Sequence, residues 1–169
     1  MNRQSTNNNK DNSADVHREH MREAIAAARE GIRKHAGGPF GTVIVKDGEI
    51  IARAHNSVPR DNDPTAHGEI IALREAGKKL GSFDLSGCEL YTTGEPCTMC
   101  LCACLWANIG RVYYGCSISD NAMIGFRDAH FDEKFGGREA FKGYLVQTGR
   151  DECLALFEEY RQMEGNIRY

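Results

Sequence analysis

The 169-residue sequence predicts one layered α/β domain, and two observations predict it. Segments with helical and strand spacing alternate along the chain, as they do where helices cover a central sheet. The chain is 41% hydrophobic, long enough to bury one core and too short for two.

Residues 1–13 are rich in Asn and Ser and carry too little apolar surface to offset the entropy of ordering. They are expected to form a disordered tail ahead of a single domain spanning 14–169. From about 15 to 34 the segment is rich in Ala, Glu and Arg. Val16, Met21, Ile25, Ala28 and Ile32 recur at helical spacing, which predicts an amphipathic helix. Gly37, Gly38 and Pro39 stop it. Residues 42–45 and 50–54, joined by a turn through Asp47 and Gly48, predict a β-hairpin. Asp63 and Pro64 suit a helix start, so a second helix is expected from 65 to 80, ended by Gly81. A strand over 88–92, a helix from Pro96 to Trp106 and a strand over 111–115 follow. Residues 117–143 read as loop with short helical pieces, 144–148 as a last strand and 152–163 as a final amphipathic helix.

Composition narrows the function. No apolar run approaches the roughly 20 residues that span a bilayer, and the N-terminus lacks the apolar stretch of a secretory signal, so a cytoplasmic protein is expected. The net charge of -3 and pI of about 6.1 do not provide the positive field that phosphate backbones attract, which speaks against a nucleic-acid partner. The seven cysteines are odd in number, and four of them fall within residues 97–104. Reduced thiols with a metal role fit this crowding better than disulfides.

The chemistry is carried by His67, Gly68 and Glu69 at one helix start and by Pro96, Cys97, Thr98, Met99 and Cys100 at another, with 29 residues between His67 and Cys97. Two cysteines three apart share one helix face, so both sulfurs reach one ion, and a helix N-terminus favours the thiolate. An imidazole completes a three-ligand set. Zinc with three protein ligands keeps its fourth tetrahedral position for water, whose pKa it lowers to about 7. Glu69, two residues from the histidine and outside the ligand set, can move that water's protons. H-x-E combined with P-C-x-x-C is the signature of zinc deaminases. A closed zinc knuckle is the alternative, because Cys104 follows Cys100 by four and shares its face. Cys102, Cys104, Cys88, Cys116 and Cys153 are expected to act as small apolar fillers.

On these residues the chain resembles the cytidine deaminase-like superfamily, and within it is most similar to the bacterial guanine deaminases. The similarity is dense between residues 37 and 126, taking in the Gly-Gly-Pro-Phe-Gly run ending at Gly41, Asn56, the stretch from Asp63 to His67, Glu95, Met99 and Trp106. The resemblance implies a three-layer α/β/α fold with a central five-stranded mixed sheet. It implies one zinc per chain on His67, Cys97 and Cys100, with Glu69 as proton shuttle. Asn56 would hydrogen-bond the base, and Phe40, Ala66 and Trp106 would lie in the same pocket. Asp120, followed by Gly125, Phe126 and Asp128, resembles the segment whose aspartate reaches into the pocket as a second catalytic residue. Tyr169 would close over the site, in that family by exchange of C-terminal segments within a homodimer. The reaction implied is guanine to xanthine and ammonia, in purine metabolism.

The chain departs from the family at Gly68, where Ala is usual, and at Thr93 and Gly94, where Ser and Cys are usual. Cys102 and Cys104 are also unusual there. Other readings are a tRNA adenosine deaminase, a deaminase of cytosine, guanosine or an aminated triazine, and a non-enzymatic zinc module closed by Cys104.

Overall fold

A computed structural model describes residues 8–128 and 142–165, with the side chains of 15–128 and 142–165. The elements in chain order are α1 (Asn8–Arg33), β1 (Gly41–Lys46), β2 (Glu49–His55), α2 (Val58–Asp61), α3 (Gly68–Leu80), β3 (Cys88–Gly94), α4 (Thr98–Trp106), β4 (Arg111–Cys116), α5 (Ile118–Met123), β5 (Leu145–Gln147) and α6 (Arg150–Gln162). The helix α1 reaches back to Asn8, into the segment expected to be a tail. Residues 1–7 lie outside the described residues, as do 129–141 and 166–169.

The five strands stand in the order β2-β1-β3-β4-β5. β1 pairs antiparallel with β2 and β3, while β3–β4 and β4–β5 are parallel, so the sheet is mixed as expected. Period-two alternation sends side chains to two separate cores. Val43, Val45, Tyr91 and Tyr113 face Met21, Ala24 and Ala28 of α1 and Leu156 and Phe157 of α6. Ile44, Leu90 and Val112 face Ala72 and Ala76 of α3 and Cys104 of α4. Three layers result.

Two glycines are required by local geometry. Gly48, with φ of 81°, turns the β1–β2 hairpin beside Asp47, which also has positive φ. Gly41 lets α1 approach β1, because a Cβ there would meet the Ala24 carbonyl and the Ala28 amide.

The helix expected from 65 begins instead at Gly68, with His67 as its N-cap. The Asp63 carboxylate accepts from both the amide (2.8 Å) and the hydroxyl (2.7 Å) of Thr65, closing an Asx turn that keeps 63–67 out of the helix. This matters for the site, since it places His67 and Glu69 at the first turn of α3.

Candidate active site

The parallel strand β3 delivers Glu95, Pro96 and Cys97 to the sheet's carboxyl end, and α3 arrives there with His67. Ligands gather at that end of parallel strands in open α/β sheets. The Nδ1 of His67 lies 3.4 Å from the Cys100 sulfur and 3.6 Å from the Cys97 sulfur. All three donor atoms lie within 4.8 Å of one another. Tetrahedral zinc with its usual bond lengths separates a nitrogen and a sulfur ligand by roughly 3.6 Å, so this donor set fits the ion. Cys104 does not join it: it is fully buried in the α3–α4 core, and among the described residues it is absent from the metal-ligand cluster. A three-ligand, open site is therefore what the geometry offers.

The groups polarise one another. Hydrogen bonds from Cys100 and His67 pull the Cys97 thiol down to about 4 against the effect of burial, so it stands as a thiolate. Burial depresses the His67 imidazole, but the hydrogen bond to Cys97 and the Glu69 charge outweigh it and raise the group to about 9. Cys100 is pushed well above the usual thiol range by its bond to Cys97 and by burial. Metal binding must displace the remaining protons. Glu69 is buried on the first turn of α3, and burial pushes its carboxyl up to about 7; the Cys97 and Asp128 charges add to this while His67 opposes it. A carboxylate poised near neutrality suits a group that takes and returns a proton.

A cavity of about 530 Å³ opens on these residues. Phe40, Asn56, His67, Glu69 and Cys97, all expected in the site, line it. Asn56 is buried. Its amide donates to the Phe40 carbonyl at 2.8 Å, and its Oδ1 accepts from the Val58 amide at 3.3 Å. Gly37 packs so closely on that oxygen that a Cβ would overlap it. Phe40 makes edge contacts with the rings of Phe126 (4.6 Å) and Phe157 (5.6 Å).

Three expected pocket residues stand elsewhere. Asp120 does not line the cavity: its carboxylate completes the capping box of α5 with Ser117 and binds Arg150. The aspartate that does line it is Asp128. Trp106 is 87% exposed and lines a shallow groove with Phe83 and Leu73. It sits six residues beyond Cys100, roughly 9 Å along α4 and about 240° around it, which takes it off the ligand face. Ala66 acts through its backbone, its carbonyl accepting from Ser57 and its amide donating to Asp63, and its side chain is not part of the cavity wall. Tyr169 lies outside the described residues. Cys102, expected to be a buried filler, is exposed and lines the cavity, whereas Cys88, Cys104, Cys116 and Cys153 are buried as expected. Sequence spacing did not single out Asn121 or Arg127, which also line the cavity, because Asn121 sits on the short α5 and Arg127 on the irregular stretch after it.

A three-donor nitrogen–sulfur site, with a buried carboxylate beside it and a nucleobase-sized cavity above it, defines a zinc-dependent deaminase. The chain belongs to the cytidine and deoxycytidylate deaminase zinc-binding family, whose model matches residues 14–116. It is 49% identical over 154 residues to guanine deaminase of Bacillus subtilis (strain 168), covering 90% of this chain and 99% of the relative. The X-ray structure of the Bacillus subtilis guanine deaminase superposes with a TM-score of 0.69 at 40% identity, over 90% of this chain and 98% of that one. The tRNA-specific adenosine deaminase of the same organism is 42% identical over 151 residues, 88% of this chain and 93% of the relative.

Proposed function

We propose that the protein deaminates guanine to xanthine and ammonia. The observation that carries this is the end-to-end 49% identity with a guanine deaminase, combined with a cavity whose zinc-ligand set and buried carboxylate suit that hydrolysis. When bound, zinc held by His67, Cys97 and Cys100 would supply a water ionisable near pH 7. Glu69 takes a proton from the attacking water and passes it to the ring nitrogen next to the amino-bearing carbon. The C–N bond then breaks, and the amino group leaves as ammonia after receiving the second proton. Asn56 anchors the base edge, and Phe40 packs on the ring. Asp128, the second carboxylate on the cavity wall, meets the departing amino group.

Homodimer formation, cytoplasmic residence, a part in purine metabolism and exchange of the C-terminal segment belong to the same reading and are supported by the resemblance to guanine deaminases. None of the described helices is long and apolar enough to cross a membrane.

A second reading, tRNA adenosine deamination, is favoured by the 42% identical relative and opposed by the net charge of -3. Ammonia release by zinc-loaded protein separates the two, with guanine, adenine, cytosine, guanosine and tRNA as parallel substrates. Dominant turnover of guanine is expected. Turnover of tRNA with guanine inert would replace the first reading by the second.

A further inference from the structure

Asn121 is 1% exposed, yet lines the cavity from the last turn of α5. Its Nδ2 donates to two acceptors, the Glu95 carbonyl and the Asp128 carboxylate Oδ2, each at 3.3 Å. Because both partners only accept, the amide has one permitted orientation: its nitrogen faces them and its oxygen faces away. That oxygen has no hydrogen-bond partner among the described residues. It packs against Gly94, where a Cβ would stand 2.9 Å from it and 2.8 Å from the Phe40 ring. Gly94 is thus the gap that admits this amide.

A buried unpaired carbonyl oxygen is costly and calls for an explanation. The connections made by the other end of the amide supply it. Glu95 precedes the metal-ligand loop, accepts the Ile118 amide with its own carboxylate at 2.9 Å, and so holds α5 to β3. The Asn121 carbonyl accepts the Phe126 amide at 3.2 Å, shaping the turn that leads to Asp128. One side chain therefore ties the loop entering the zinc site to the segment carrying the second cavity carboxylate.

We propose that Asn121 is a positioning residue that aims the Asp128 carboxylate at the substrate. The proposal rests on the reading above, in which Asp128 meets the departing amino group. Asn121 gives Asp128 a neutral donor that holds its Oδ2 at the cavity wall. An aspartate there would repel Asp128, and an apolar residue would remove this donor from it.

The test uses Asn121→Leu, which keeps the volume and deletes both the donor and the unpaired acceptor. The unpaired oxygen leaves with the amide while the Glu95 carbonyl loses a donor, opposing effects that should keep the melting temperature within about 4 °C of wild type. In the zinc-loaded enzyme, kcat on guanine should fall by about 10- to 100-fold, with KM little changed. In an Asp128→Asn background the same substitution should change kcat by less than about twofold, because the residue it acts through is already altered. Carbon-detected NMR titration supplies a readout independent of turnover: loss of the donor should raise the Asp128 carboxyl pKa by about half a unit or more. Asn121→Asp, close in shape, is the second variant should the leucine fail to fold, and should lose kcat to a similar degree. An unchanged Asp128 titration overturns the proposal. So does a wild-type kcat in the Asn121 variants, or a loss that persists undiminished with Asp128→Asn. An enzyme inert toward guanine with the NMR shift present overturns the functional reading instead and leaves the tether standing.

Discussion

Arg150 grips both carboxylate oxygens of Asp120, its Nη2 donating to Oδ1 at 2.6 Å and its Nε to Oδ2 at 3.1 Å. The pair pins the N-terminus of α6 to α5, while the same aspartate caps α5 through Ser117. A carboxylate so occupied is structural. Asp120→Asn should therefore cost about 1–2 kcal/mol of stability, discounted because the Arg150 side chain is 45% exposed. It should leave most of kcat intact, whereas Asp128→Asn should lower kcat far more, to a reduced but measurable rate. Thermal melts beside guanine kinetics for both variants make the check, and a larger loss of kcat from Asp120→Asn would restore it to the chemistry.

The same pair predicts a pH dependence. Burial pushes the Asp120 carboxyl up, but the Arg150 guanidinium and the Ser117 amide and hydroxyl outweigh it and hold it below its ordinary value. A depressed acid contributes stability that is fully present above its unfolded pKa, about 3.9, and lost as pH falls through the folded value. Wild-type stability should thus fall below about pH 4 more steeply than that of Asp120→Asn, as denaturant melts from pH 3 to 7 would show.

Glu69→Gln should lower kcat by about 100- to 10,000-fold, the span expected when a proton-transfer group is removed. Glu69 lies outside the donor cluster of His67, Cys97 and Cys100, so zinc content should stay near that of the wild type. Metal analysis alongside ammonia release separates the two effects. A variant that lost zinc would make Glu69 part of the metal site, and one that kept its rate would remove it from the mechanism.

How much of this was legible in the sequence follows from which features are periodic. The β-branched run of Val43, Ile44 and Val45 ahead of the Asp47–Gly48 turn made the hairpin readable, and the strand's period of two sorts these side chains into opposite cores. Cys97 and Cys100 were readable because a three-residue step on a helix has one geometry. Asp120 sits on the six-residue α5 and Asp128 shortly beyond it, where no period says which carboxylate turns inward. Contact with Arg150, 30 residues away, decided it, and no local pattern contains that contact. Trp106 was placed by resemblance, although the helix expected through it already turns it away from Cys100.

Gly41→Ala should destabilise the fold by about 3 kcal/mol, because the added methyl meets backbone of α1, which has no rotamer to yield. For a chain of this size that is a drop of roughly 6–12 °C in melting temperature. The zinc ligands lie on other elements, so zinc binding should survive at low temperature. A melt within about 2 °C of wild type would mean that α1 sits further from β1 than described.

Removing zinc should abolish activity and lower the melting temperature together, since the site links the first turns of α3 and α4. A ligand present at about 1,000 times its dissociation constant stabilises by about 4 kcal/mol, so chelation should lower the melt by roughly 8–16 °C. Adding zinc back should restore both. Cys100→Ala should give the chelated melt without chelator and show no response to added metal, because its sulfur is one of three donors and no described residue stands ready to replace it. Full zinc content in that variant would bring Cys104 or Cys102 into the donor set and reopen the closed-site alternative.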